Sequence, residues 1–265
     1  MSTIRCENNN HIGTITIDNE KKINCMTIEM LEIMNEKVEI CNNDPDIYCV
    51  IITGAGKQAF SSGGDLKAEK LYATKQHENI DSYNRQGMKL VRSIMNSPKP
   101  YIAAVNGYAL GAALAVITAC DIAIGSENSV YGLPTTSLGG IPGWGCTQQV
   151  TRVVGRQCVM RMLLLNEKIN AEEAKKYGII SDIYSIEKLM EKAYELAQQV
   201  IQYPVNAVSA VKRCVNGGLE MTLEDGLEFE ARLLYHNNIQ YNFGEGISAF
   251  LEKREPEFKM NYEEL

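Results

Sequence analysis

The chain reads as an α/β protein built on parallel strands, and three observations predict it. Short strand-like runs alternate with helix-like segments through the first two thirds. Two of the runs, CVIIT (Cys49 to Thr53) and YIAAV (Tyr101 to Val105), are continuously apolar, as strands covered on both faces are. The final third carries three helix-like segments in succession, a tail suited to docking or to joining copies of the chain.

Each element follows from its own residues. Ile12 to Ile17 (IGTITI) alternates apolar and small polar residues like a half-buried strand, and DNEKK turns the chain. From Met26 to Cys41 the apolar positions recur at three- and four-residue spacing, and Asn42, Asn43, Asp44 and Pro45 end that helix. CVIIT is the next strand, closed by GAG. Ile80 to Met95 is helical and Ser97 to Pro100 stops it. YIAAV then opens onto NGYALGAALAVITACDIAIGS, where small residues predict a turn feeding a central helix packed on all sides, followed by a strand from Asp121 to Ile124. Beyond the loop PTTSLGGIPGWGCTQ (Pro134 to Gln148), Thr147 to Leu165 is helical, and AEEAKKYGIISDIY gives a capped helix, a Gly stop and a strand. The tail helices run from Ile186 to Gln202, Asn206 to Val215 and Thr222 to Tyr235.

With 33 acidic against 26 basic residues in 265, the net charge of -7 disfavours a nucleic-acid partner, because neutralising phosphates takes clustered Lys and Arg. Eight scattered cysteines form no CxxC and no Cys/His spacing, so no metal site is expected and the thiols read as free in a reducing compartment. No stretch reaches the about 20 charge-free apolar residues of a membrane span, and the first residues lack the apolar run of a secretion signal. A cytoplasmic protein is the expectation.

Two segments put glycines where a backbone would face a ligand. In AFSSGGDLKA (Ala59 to Ala68) the amide of Gly64 is placed at a helix start, and in GYALGAAL (Gly107 to Leu114) that of Ala112 heads the central helix. Converging amides make an oxyanion hole, worth about 2.7 to 4 kcal/mol per donor. Taken singly, each segment is better explained by glycines that permit close packing or positive φ.

Together with KKINCMT, PKPYIAAVNGYALGAAL, ACDIAIGSENSVYGLP, LGGIPGWGCTQ, AEEAKKYGIISDI and GISAFLEKREPEFK, in this order and spacing, the segments resemble the enoyl-CoA hydratase/isomerase family, the crotonase superfamily, from about Ile12 to Phe258. The resemblance implies a crotonase-like spiral of ββα units over residues 1–200, carrying an acyl-CoA site, and a helical C-terminal oligomerisation region over 201–265, giving a homotrimer or a dimer of trimers. It implies a thioester on coenzyme A, or on a carrier protein, whose oxygen is held by Gly64 and Ala112, and no cofactor beyond the coenzyme A of the substrate. Around it the resemblance places Lys22, Ile23, Asn24, Ser62, Gly63, Asp65, Leu66, Lys67, Gly111 and Pro134, with Phe250 and Lys253 as contacts for the coenzyme's far end. Asp65 reads better as a loop brace than as an acid.

Hydratases of this family carry two glutamates that activate water. Their positions here are Ala115 and Thr135, and neither side chain accepts a proton near neutral pH. Thr135, Thr136 and Ser137 therefore read as a pocket wall made for hydrogen bonding, able to hold a water or a substrate carboxylate. Three readings follow: an enolate-forming acyl-CoA enzyme, a methylmalonyl-CoA-type decarboxylase, and a binder without turnover. A polar group could also come from the segment after GGDLK, with Glu69, Lys70, Tyr72, Lys75, His77, Glu78 and Asp81; His77 has the best-suited ordinary pKa, against the plain reading of a solvated loop histidine. Cys146 is read as a small buried thiol and Trp144 as packing.

Overall fold

The computed structural model describes residues 2–67, 69–70 and 77–260, with no side-chain description for 77–81. The chain opens with the antiparallel pair β1 (Thr3–Asn9) and β2 (Ile12–Asp18), joined by Asn10 and His11, both at positive φ as a two-residue hairpin turn requires. Helix α1 (Ile28–Asn43) starts at Thr27, whose hydroxyl accepts from the Met30 N–H.

The same ββα order then recurs three times. It appears as β3 (Cys49–Gly54), β4 (Ala59–Ser61) and α2 (His77–Met95), and as β5 (Tyr101–Val105), β6 (Tyr108–Leu110) and α3 (Ala112–Ala119). The third round is β7 (Ile122–Ser126), β8 (Val130–Gly132) and α4 (Cys146–Leu164). In each round the first strand joins a large sheet and the second a small one, so the chain spirals between two layers. After β9 (Lys168–Asn170), α5 (Ala171–Lys176), β10 (Asp182–Tyr184) and α6 (Leu189–Val200), the large sheet has the order β1-β2-β3-β5-β7-β10, parallel beyond the hairpin. The small sheet has the order β4-β6-β8-β9, its first three strands parallel.

The apolar run CVIIT explains itself here. Val50 and Ile52 join the main core under α1 to α4, while Cys49 and Ile51 face a second core with Ile12, Ile102, Ala104 and Ile124 that α6 covers through Leu189, Ala193 and Ala197. Both faces are buried, so no polar alternation is tolerated.

Helix α7 (Val205–Gly218) packs on α8 (Leu223–Asn238), and α9 (Tyr241–Glu252) follows. The buried Lys212 fastens α7 to the core, donating to the carbonyls of Ile94 and Lys99 at 2.9 Å each and to Asp121 Oδ2 at 2.8 Å. The helix expected over Thr147 to Leu165 is interrupted at Gly155, whose φ of 76° and ψ of 161° only glycine adopts readily. Among the described residues no helix is long and apolar enough to cross a membrane.

Candidate active site

Strands β4, β6 and β8 lie side by side and point the same way, so the loops that follow them leave together from one edge of the small sheet. Loops at the carboxyl ends of parallel strands are where open α/β folds place ligands. The first carries Ser62, Gly63, Gly64 and Asp65, the second Gly111 and Ala112, and the third Pro134, Thr135 and Thr136.

Two peptide groups are anchored from behind. The Gly63 carbonyl accepts from the Met26 N–H at 2.8 Å, and the Met26 carbonyl accepts from Asp65 N–H at 3.2 Å, a bridge that brackets Gly64. Because N–H and C=O point oppositely across a trans peptide, the Gly64 N–H is turned away from that bridge. The Gly111 carbonyl accepts from Leu114 N–H at 3.0 Å and from Cys146 Sγ at 3.4 Å, which turns the Ala112 N–H outward in the same manner. Ala112 is the first residue of α3, so its N–H has no intrahelical acceptor and sits at the positive end of the helix. Among the described residues neither amide has a hydrogen-bond acceptor.

The loops touch. A Cβ at position 63 would stand 2.7 Å from the Leu110 carbonyl oxygen and 3.4 Å from the Ala112 nitrogen, and φ of 90° at Gly63 already excludes most side chains.

Flanking residues divide into braces and open surface. Asn24 is buried and spent on scaffold: Nδ2 donates to the carbonyls of Ala55 and Ala59, Oδ1 accepts from Asn19 N–H, and its own carbonyl accepts from Ser61 Oγ. Ile23 is held left-handed at φ 57°, and its carbonyl accepts from Ser62 N–H at 3.0 Å. Asp65 braces the loop, accepting from Lys67 N–H at 3.0 Å and facing Lys22 Nζ at 3.5 Å. Leu66 and Lys67 are exposed beside it.

At the third loop Ala115 is fully buried on α3, while Thr135 and Pro134 are half-buried and Thr136 is exposed. Ser137 Oγ donates to the Pro134 carbonyl at 2.7 Å, so of the three hydroxyls this one closes its own turn. Trp144 is 3% exposed and its indole lies against Gly87 of α2, where any Cβ would overlap the ring; Tyr83 meets it edge-on at 5.5 Å. Cys146 is buried, which pushes its thiol up to about 12. His77, Glu78 and Asp81, with Tyr72 and Lys75, lie outside the described side chains.

A family profile described as enoyl-CoA hydratase/isomerase matches residues 7–261. The chain belongs to that family. It is 34% identical to a probable mitochondrial enoyl-CoA hydratase of Dictyostelium discoideum over 96% of this chain and 90% of the relative, and 35% identical to the putative enoyl-CoA hydratase/isomerase YngF of Bacillus subtilis over 95% of each. A crystal structure of an enoyl-CoA hydratase from Bacillus anthracis superposes with a TM-score of 0.92 at 30% identity, over 97% of this chain and 99% of that one. The crotonase spiral of ββα units is thus the fold, and as a member of the enoyl-CoA hydratase/isomerase family the chain is an acyl-CoA-processing enzyme.

Phe250, 83% exposed, and Lys253, the left-handed cap of α9, are placed at the end of the last helix, an element packed against α8. The sequence reading missed one residue of this enoyl-CoA hydratase/isomerase scaffold, Tyr83, and read Cys146 as a small buried thiol, which it is, without the carbonyl that it holds. Tyr83 sits behind Gly64 with Oη donating to the Met26 carbonyl at 3.0 Å, and Cys146 holds the Gly111 carbonyl. Only the small residue at Gly87, opposite a bulky Trp144, hinted that α2 lies against the third loop.

Proposed function

We propose that the protein forms the enolate of an acyl-CoA thioester, with the N–H groups of Gly64 and Ala112 receiving the thioester oxygen. The observation that supports this reading is the pair of amides whose carbonyls are tied behind them and whose loops meet at Gly63. Donors fixed in advance stabilise charge that develops on the oxygen without reorganising, which raises rate rather than mere affinity. Thioester carbonyls accumulate that charge in hydration, double-bond shift and decarboxylation alike, so the oxygen site defines the class and the neighbouring side chains select the reaction.

Ala115 and Thr135 provide no titrating group, so hydration driven by paired carboxylates at those two positions is not the main reaction in this proposal. Decarboxylation is a second reading, because loss of carbon dioxide itself generates the enolate and the Thr135 and Thr136 hydroxyls stand at the third loop. Crotonyl-CoA and methylmalonyl-CoA, followed by absorbance and by carbon dioxide release, separate these. Brisk hydration of crotonyl-CoA by the unaltered protein overturns the reading of positions 115 and 135. Tight binding of coenzyme A thioesters with no turnover of either favours a binder.

A homotrimer, singly or paired, in the cytoplasm completes the proposal. Its support is the apolar row of Val211 and Val215 on α7 and Leu219 at its C-cap, exposed at 64%, 58% and 65%, and eight cysteines that are all free thiols. Light scattering on the purified protein tests the assembly.

A further inference from the structure

Among the described residues the carboxylate of Glu69 comes up against Gly64, and it stands at neither of the two positions that the resemblance implies. The Asp65 carbonyl accepts from Glu69 N–H at 2.9 Å, closing a helical turn that brings Glu69 back over the first loop. A Cβ at position 64 would collide with Glu69 Oε1 and stand 2.8 Å from Tyr83 Oη, so carboxylate and phenol meet at the residue that bears the first amide. Tyr83 is buried and fixed by its bond to the Met26 carbonyl and its contact with Trp144. Glu69 is exposed as a whole, yet its carboxyl end is turned inward. Burial raises its pKa first and Asp65 raises it second. Among the described residues, Asp65 and Tyr83 are the titratable groups that face it, with Lys22 engaged on Asp65 and Cys25 near Tyr83.

We infer that Glu69 is the proton-transfer group of this site, exchanging a proton with the α-carbon of a bound thioester in place of the carboxylates absent at 115 and 135. This rests on the acyl-CoA reading above. In the step, Glu69 takes the α-proton, the C–H electron pair becomes the Cα=C bond, and the carbonyl pair moves to the oxygen held by Gly64 and Ala112. The neutral acid then returns its proton to the α-carbon, or to the γ-carbon of an unsaturated chain, which shifts the double bond. No oxidant and no water is consumed. The negative charge passes from carboxylate to thioester oxygen as the proton moves, so the two anions are not full at the same time. Asp65 and Glu69 together would repel a second substrate carboxylate, which selects plain acyl chains over malonyl-type ones.

The test uses 3-butenoyl-CoA in deuterated water, reading deuterium at the α-carbon by NMR and binding by calorimetry, for the unaltered protein and for Glu69→Gln. The expected result is exchange by the unaltered protein that falls about 100-fold or more in Glu69→Gln with binding retained, because positioned acid–base groups contribute that much. The acid limb of kcat/KM lies above the ordinary glutamate value of about 4.3 and disappears in the variant. Binding with equal exchange in both proteins, or with none in the unaltered protein, overturns the role of Glu69 and leaves acyl-CoA recognition standing. Failure of the unaltered protein to bind the thioester overturns both.

Discussion

Gly63 shows how a single hydrogen atom can hold a site open. Its φ of 90° and the Leu110 carbonyl 2.7 Å from any added Cβ mean that Gly63→Ala strains the backbone and pushes the first loop off the second. The expected cost is about 1–3 kcal/mol in thermal unfolding, with a larger proportional loss of turnover, since the amides fall out of line. Cys146 makes a complementary case. Its thiol is buried, raised to about 12 and bonded to the Gly111 carbonyl, so thiol reagents should label Cys146 only after denaturation, read by peptide mass spectrometry. Rapid labelling in the native state would mean that the second donor is not held as described. Both residues look interchangeable in the sequence, one glycine among 21 and one cysteine among eight, because what matters is the carbonyl each faces.

Helix α2 lies against the third loop, and that contact depends on Gly87 making room for Trp144. Gly87→Leu should destabilise the protein by about 1–3 kcal/mol through overpacking and shift the emission of its single tryptophan to longer wavelength, read in one fluorescence titration. An unshifted spectrum would place the indole elsewhere. Long elements of this kind were legible in advance: the spacing in α1, the apolar runs of β3 and β5, and the Gly stop after α5 all correspond to observed boundaries within a few residues. The small sheet was not. Its strands β4, β6, β8 and β9 have three residues each, too few for alternation to register, and they are recognised only by whom they pair with. Those short strands are what brings the three loops together, so the motifs at Gly64 and Ala112 were visible in the residues, while their juxtaposition was implied by the family resemblance alone. Tyr83 was missed for the same reason: nothing local in α2 records that it faces Gly64.

At the scale of the whole molecule, two fastenings differ in character. The buried Lys212 joins α7 to the sheet through Asp121, whose side chain keeps 22% of its surface exposed, and partial burial raises the Asp121 carboxyl despite the adjacent ammonium, so desolvation outweighs attraction. Lys212→Met should cost about 3–5 kcal/mol in denaturant unfolding, and adding Asp121→Leu should recover much of it, as expected when a stranded charge rather than the lost pair is the penalty. At the chain's end, Arg254 grips Glu245 at 2.6 and 3.0 Å and the Glu257 N–H donates to the same carboxylate, lowering its pKa to about 2. A carboxyl depressed on folding stabilises above its unfolded value, near 4.3, and that contribution disappears as pH falls towards 2. Hydrogen exchange should therefore show residues 253–260 releasing from α9 across that window.

Both amides of the proposed oxygen site belong to the main chain. Genetic change can bend such groups but has no side chain there to remove, so under this proposal a lineage can replace the acids around the cleft, one after another, and still inherit a seat for the same fleeting anion.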